Sequence, residues 1–398
     1  VTLDPAAGTG TYLLAVIDHA LAKVHREQGP GAVAGKATAL ARNLYGFELM
    51  VGPFAVTELR VTRTLQDWRA RLPADGTHIY LTDTLESPHT SPLKLGLYLK
   101  PISDQHAKAL KVKADVRVIV CLGNPPYDRH EAAGEGNKAR TGGWVRWGDD
   151  GEGTGAILGD FLEPAREAGH GVHLKNLYNL YVYFWRWALW KVFEAKTAAG
   201  PGVVSYISAS SYLDGDAFCG MREHMRRVCD EMWILDLGGE GRGTRKSENV
   251  FAIQTPVAVA VAVRDGEADE ETPAVVHYAR IEGTRAEKLA ALNDIGDFAS
   301  LDWQSCPNDW QAPFRPAGKG SYFAWSLMTD LFPWQQNGVK AGRTWVISPN
   351  PDTLLRRWRA LCRAAERMRA ALFKDSPTGR KVGDTPTQLP PYHNKLTA

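Results

Sequence analysis

The chain has 398 residues, 44% hydrophobic and 23% charged, with 47 Lys and Arg against 45 Asp and Glu. This composition excludes disordered and fibrous classes and gives a chain long enough for two domains of a soluble globular protein. The net charge of +2 leaves no global positive field, so any nucleic-acid binding must rest on local basic surfaces.

The five cysteines, Cys121, Cys219, Cys229, Cys306 and Cys362, form no CxxC pair. They suggest neither a zinc site nor a disulfide framework, so no metal is expected and a reducing cytoplasm fits. The most apolar stretch, Leu180 to Phe193, is interrupted by Arg186 and Lys191 and is too short to span a bilayer, so no membrane partner is expected.

Strand and helix signals alternate in chain order. A strand enters Asp4, a helix follows over about Gly10 to His25, then a strand at Leu44 to Phe47, a helix around Phe54 to Arg69 and a strand at His78 to Leu81. The series resumes with a strand at Val116 to Leu122, an aromatic helix at Leu174 to Ala195, a strand at Val203 to Ser208, a helix near Phe218 to Val228 and a strand at Met232 to Leu237. Phe251 to Val263 reads as a late strand pair. The alternation predicts an α/β fold: a Rossmann-like, doubly wound, mostly parallel sheet with helices on both faces and a C-terminal extension. Val1 falls inside the first strand signal, which predicts that the chain is a piece of a longer protein.

In such a sheet ligands bind beyond the carboxyl ends of the strands, so Asp4, Glu48, Asp83 and Asn124, each ending a strand signal, should converge on one crevice. In Asp4-Pro5-Ala6-Ala7-Gly8-Thr9-Gly10, Gly8 and Gly10 would let the backbone pass close to a ligand at the start of a helix. Glu48 would accept from a ribose diol and Asp83 from an adenine amino group, a pair that suits an adenosyl cofactor without phosphates. A dinucleotide fingerprint would need Gly where Leu13 stands, and the Walker-like Gly35-Lys36-Ala37 has Pro30 where a glycine is required and no hydroxyl at Ala37.

Asn124-Pro125-Pro126-Tyr127 sets an amide, a rigid carbonyl and an aromatic ring at a strand end. On its own the tetrapeptide reads more readily as a plain strand terminus. Beside a cofactor cradle it has the parts for methylating a planar amino nitrogen: the Asn124 side-chain oxygen and the Pro125 carbonyl would accept from the amine, drawing its lone pair out of conjugation, and Tyr127 would stack on an extruded base.

Between Asp128 and Asp160 glycine and charge dominate, predicting a mobile loop over 128–160 at the site mouth. Its Arg129, Lys138, Arg140 and Arg146, interleaved with Trp144 and Trp147, suit phosphate contacts and base stacking, and equally a solvated loop. His130 is given no catalytic role, because the attacking amine can lose its proton afterwards to solvent. Arg356 to Lys374 reads as a basic helix with an apolar stripe of Leu355, Trp358, Leu361 and Leu372, either facing DNA or simply solvated.

DPAAGTG, NPPY, Gly202-Val203-Val204-Ser205-Tyr206-Ile207 and Asn249-Val250-Phe251 together resemble the S-adenosylmethionine-dependent adenine-N6 DNA methyltransferases of the gamma type over roughly Val1 to Arg264. GFELMVGPFAV and NGVKAGRTWVISPN resemble the methylase part of type ISP and type IIG restriction-modification enzymes. The resemblance implies S-adenosylmethionine as cofactor, held by Asp4, Ala6, Gly8, Gly10, Glu48 and Asp83, and Asn124, Pro125, Pro126 and Tyr127 as the catalytic set. It implies double-stranded DNA as partner, with helicase, nuclease and target-recognition regions elsewhere in the full-length protein. It also implies three parts: a methyltransferase domain over 1–265, a connecting extension over 266–350 and the start of a target-recognition or spacer region over 351–398. NPPY also resembles release-factor glutamine methyltransferases, so a protein amide or RNA base stays open as substrate, as does a non-catalytic DNA-binding fragment.

Overall fold

A computed structural model describes residues 1–93, 96–127, 141–150, 155–239, 247–267, 269–318, 325–326, 331 and 344–373. The chain divides into two compact units, Val1–Gly318 and Lys319–Ala398.

The first unit opens with strand β1 (Thr2–Asp4), which runs into a tight turn and then helix α1 (Thr11–Gln28). Gly10 precedes that helix at φ 83°, a left-handed conformation that costs glycine nothing, and an added Cβ would lie 3.1 Å from the Thr57 methyl. Leu13, Ile17 and Leu21, four residues apart, form the buried stripe of α1. Helix α2 (Pro30–Asn43) starts on a proline and buries Val33, Ala37 and Ala41 at the same spacing. Strand β2 (Leu44–Glu48), helix α3 (Val51–Asp67), strand β3 (His78–Leu81), helix α4 (Lys100–Asp115) and strand β4 (Val120–Gly123) follow.

After β4 come the short helices α5 (Gly143–Trp147) and α6 (Gly159–Glu167), then α7 (Leu180–Leu189), whose side chains are buried all round. Strand β5 (Gly202–Ala209), helix α8 (Cys219–Val228), strands β6 (Glu231–Gly238), β7 (Val257–Arg264) and β8 (Val275–Arg280), helix α9 (Arg285–Asp294) and strand β9 (Gln304–Ser305) complete the unit.

The nine strands form one sheet in the order β3-β2-β1-β4-β5-β7-β6-β8-β9. From β3 to β5 all neighbours are parallel, β7 lies antiparallel between β5 and β6, β8 runs parallel to β6, and β9 is antiparallel to β8. The doubly wound, mostly parallel sheet is therefore present. Chain order reverses between β1 and β4, the point at which such sheets open a ligand crevice. Strands β8 and β9 lie within 266–350, the stretch expected as a connecting extension, and are hydrogen-bonded into the same sheet.

Five segments differ from the expectation, the first being the strand expected over Val116 to Leu122, which begins only at Val120. Phe251 to Val263 holds one strand and not two: the Asn249 side chain accepts from the Phe251 amide (2.9 Å) and donates to the Thr255 carbonyl (2.7 Å), tying those residues into a turn before β7 begins. The aromatic stretch Leu174 to Ala195 is broken into a 3₁₀ segment (Gly171–Leu177), α7 and a π turn (Trp190–Glu194). The break falls at Asn179, which is extended and whose carbonyl receives the first amides of α7. Within 128–160, Gly143–Trp147 forms α5, because Trp144 and Val145 are buried against the core and the Trp144 amide donates to the Leu85 carbonyl at 2.8 Å.

In the second unit the single basic helix expected over 356–374 is two, α10 (Pro351–Arg363) and α11 (Glu366–Leu372). Helix α10 starts on Pro351 under the Asn350 side chain, which accepts from the Asp352 amide at 2.8 Å. The chain turns extended at Ala364 and Ala365, where Arg369 Nε bonds the freed Ala364 carbonyl at 3.1 Å. Among the described residues no helix is long and apolar enough to cross a membrane.

Candidate active site

The carboxyl ends of β1, β2, β3 and β4 meet at a cavity of about 650 Å³, within the range of small-molecule sites. Ala6, Glu48, Asp83, Asn124 and Pro126 line it together. Five residues expected at the site from sequence are thus side by side, although they span more than a hundred positions.

Glu48 organises the glycine turn. Its Oε2 accepts from the Gly8 amide and its Oε1 from the Met50 amide, both at 2.8 Å, while the Thr57 hydroxyl donates to the Gly8 carbonyl at 2.6 Å. Gly8 and Gly10 shape this turn and do not line the cavity wall. Each carboxylate oxygen has a further lone pair, so Glu48 keeps acceptor capacity for a diol.

Asp4 sits beneath the cavity, fully buried. One oxygen accepts from the Ala6 amide at 3.0 Å, and Oδ2 has no partner. Burial, reinforced by the Glu48 charge, pushes its pKa up to about 7. A Cβ on Gly123 would lie 2.7 Å from Asp4 Oδ1, so β4 can end beside Asp4 only with glycine there.

Asp83 follows β3 and stands at the cavity mouth, where its Oδ1 accepts from the Leu85 amide at 2.9 Å. Although it is open to the cavity, the surrounding walls desolvate its carboxyl and raise its pKa, against the pull of the Leu85 amide and Lys113. The Thr84 hydroxyl donates to the Pro5 carbonyl at 2.5 Å, joining the β1 and β3 loops.

Pro125 is buried behind Asn124. Tyr127 is outside the cavity wall: its hydroxyl donates to Asn124 Oδ1 and also lies 3.2 Å from the Ile207 carbonyl. Its ring, like those of Phe251 and Tyr12, packs against the apolar cluster that includes Ile207, Leu237 and Val250. Burial raises the phenol pKa, so the hydroxyl is a donor at any physiological pH.

Of the basic residues expected to meet DNA, Arg129, Lys138 and Arg140 lie outside the described residues. Arg146 is on α5 with its guanidinium 4.0 Å from the Tyr178 ring centre and 4.6 Å from that of Trp147, bonded to the Tyr183 hydroxyl at 3.3 Å. It is a packed group in this arrangement, held by cation–π contacts.

The sequence did not point to Leu49, Met50, Leu85, Leu180 and Phe184, which supply much of the apolar wall. Leu49 and Met50 are 66% and 64% exposed immediately after a strand-end acid, a signal that was available in the pattern. Among the described residues the grouping with metal-type donors, Asp160, Glu194 and His224, is an ion-pair network around buried Arg186, which bonds Asp160 and Glu194 at 2.5 and 2.7 Å. Although burial opposes it, bonds from His224 and Arg186 hold the Glu194 carboxyl down at about 2.

The parallel run β3-β2-β1-β4-β5, the antiparallel β7 between β5 and β6, and the crevice at the β1/β4 reversal make a Rossmann-like, doubly wound sheet. A family model, the Type ISP C-terminal specificity domain, matches residues 330–391. Among solved structures the chain is similar to the ATP-dependent Type ISP restriction-modification enzyme LlaBIII bound to DNA (18% identity, TM-score 0.64, 91% of this chain and 23% of that one). It is similar too to a nuclease-deletion mutant of the Type ISP enzyme LlaGI in complex with a DNA substrate mimic (18%, 0.62, 92% and 30%), and to DrdV in a DNA complex (21%, 0.58, 92% and 35%). The chain thus spans about a quarter to a third of the length of these proteins. No curated protein sequence matches it. In fold the chain resembles a part of Type ISP restriction-modification enzymes.

Proposed function

We propose that this chain is the S-adenosylmethionine-dependent modification part of a restriction-modification enzyme, methylating the N6 amino group of an adenine extruded from double-stranded DNA. The observation that carries the reading is that Asn124 and Pro126 share one cavity with Glu48 and Asp83, so a base-handling strand end faces two carboxylates suited to an adenosyl group. S-adenosylmethionine supplies an electrophilic methyl group when bound. The residues fit such a ligand: Glu48 retains acceptor capacity for its diol, Asp83 offers a carboxylate to its amino group, the buried Asp4 Oδ2 lacks a partner, and Leu49, Met50 and Phe184 give apolar walls.

On the substrate side, Asn124 Oδ1 and the Pro125 carbonyl accept from the two amino hydrogens, which localises the nitrogen lone pair for in-line attack. Tyr127 releases Asn124, turns its ring to the base and offsets part of the few kcal/mol that unstacking costs. No side chain is required to remove a proton before attack, since the methylated amine loses it to solvent. The similarity to DNA-bound Type ISP enzymes supports duplex DNA as partner, and their greater length supports helicase, nuclease and recognition regions elsewhere in the full protein. We further propose that the methyltransferase domain runs past 265 to take in β8 and β9, which share its sheet, that the recognition region begins before 351, within the stretch 330–391, and that the protein works in the cytoplasm, which suits five free cysteines.

The test is transfer of labelled methyl from S-adenosylmethionine to mixed-sequence duplex DNA, with digestion of the product to nucleosides. Label in N6-methyladenine supports the reading. Label found instead in a protein or RNA fraction assigns the substrate to a glutamine amide or an RNA base.

A further inference from the structure

Beneath Asp83 lies a charged side chain that the proposed chemistry does not touch. Lys113, near the end of α4, is fully buried, and its ammonium donates to the Asp83 main-chain carbonyl at 2.5 Å, to the Thr82 hydroxyl at 3.2 Å and to Glu86 Oε2 at 3.3 Å. All three acceptors belong to the turn that carries the Asp83 carboxylate to the cavity. The three donors of an ammonium are thereby all used on one five-residue segment.

The partners of Lys113 are themselves fixed. His106 faces both Glu86 oxygens with Nε2 at 2.8 and 2.9 Å, and the Leu93 amide donates to its Nδ1 at 3.2 Å. With Nδ1 accepting from Leu93, Nε2 is left to face Glu86, so His106 holds the carboxylate that Lys113 meets from the other side. The main chain of Lys113 is held in turn by Lys191, also fully buried, whose ammonium donates to the Lys113 carbonyl at 2.7 Å from the π turn behind α7. Helix α7 contributes Leu180 and Phe184 to the cavity, so the same tie links two of its walls.

Burying a lysine is expensive, and desolvation does lower its pKa against the opposing pull of Glu86 and Asp83. A methionine would fill the same space without that cost, which suggests that the charge has a task beyond packing.

We propose that Lys113 is a positioning residue for the cofactor: by clamping the Asp83 carbonyl, Thr82 and Glu86 it sets the direction in which the Asp83 carboxylate meets the adenosyl group. The inference rests on the cofactor reading above, and the experiment separates the two. Calorimetric titration of the full chain with S-adenosylhomocysteine is run on wild type, Lys113→Met, Asp83→Ala and the double variant, with melting temperatures measured alongside. Each single variant is expected to lose about tenfold in affinity, and the double variant to be no weaker than Asp83→Ala, because Lys113 acts only through Asp83. A folded Lys113→Met chain that binds like wild type overturns the proposal, as do losses that multiply in the double variant. Should Lys113→Met fail to fold, Glu86→Gln, which removes the carboxylate facing the ammonium, reads the same relationship: a several-fold loss coupled to Asp83 supports it, and unchanged affinity overturns it. Absence of binding by wild type overturns the cofactor reading and this inference with it.

Discussion

The Tyr127 hydroxyl donates to the Asn124 side-chain oxygen, the same atom that the proposed reaction needs as an acceptor for the target amine. The amide proposed to handle the amine is therefore already satisfied within the chain, and on that proposal a base must displace the Tyr127 hydroxyl. Two substitutions divide the roles of the residue. Tyr127→Phe keeps the ring and frees Asn124, so methylation of duplex DNA is expected to stay within about threefold of wild type. Tyr127→Ala removes the ring as well and should cost about 5- to 150-fold, since base stacking on an aromatic side chain contributes about 1–3 kcal/mol. Steady-state methylation kinetics decide: equal losses in both variants would mean that the hydroxyl, and not the ring, carries the function.

Glu48 holds two backbone amides beside the cavity, those of Gly8 and Met50, one on each oxygen. Glu48→Ala removes both anchors and the acceptor proposed for a ribose diol. Hydrogen bonds to a charged group are worth about 1.5–3 kcal/mol, so cofactor affinity should fall at least tenfold in calorimetry. An unchanged dissociation constant would place the cofactor elsewhere.

Asp4 makes stability depend on pH in a defined direction. Its pKa rises from 3.8 to about 7 on folding, so the folded state holds a proton that the unfolded chain releases. Its contribution is complete below pH 3.8 and is lost as pH rises toward 7, a span worth at most about 4 kcal/mol. Asp4→Asn cannot ionise, so the variant should gain on wild type steadily between pH 4 and 7 in urea unfolding. A difference that is flat with pH would show that Asp4 is ionised in the folded chain.

The sequence exposes β1 to β4 because each is a short apolar run closed within two residues by an acid, an asparagine or a glycine. The same punctuation brings Glu48, Asp83 and Asn124 to one cavity. Signals that depend on a distant partner are not visible in this way. Asn249 looks like any loop asparagine until its two bonds across the 249–255 turn shorten β7, and the Trp144-Val145 pair in α5 is isolated by glycines that hide its burial. Lys113 carries no sequence signal, because the groups it serves lie some thirty residues earlier in the chain. The break between α10 and α11 falls on two alanines, and no local residue type accounts for it.

The central claim is that Asn124 handles a target amine beside a bound methyl donor. Its most direct test compares methyl transfer to duplex DNA by wild type and Asn124→Ala, each first shown to bind S-adenosylhomocysteine. The account predicts a loss of about 100-fold or more in turnover with cofactor affinity unchanged, the scale seen when one preorganised polar contact to a reacting group is deleted. Equal turnover by the two proteins would contradict it.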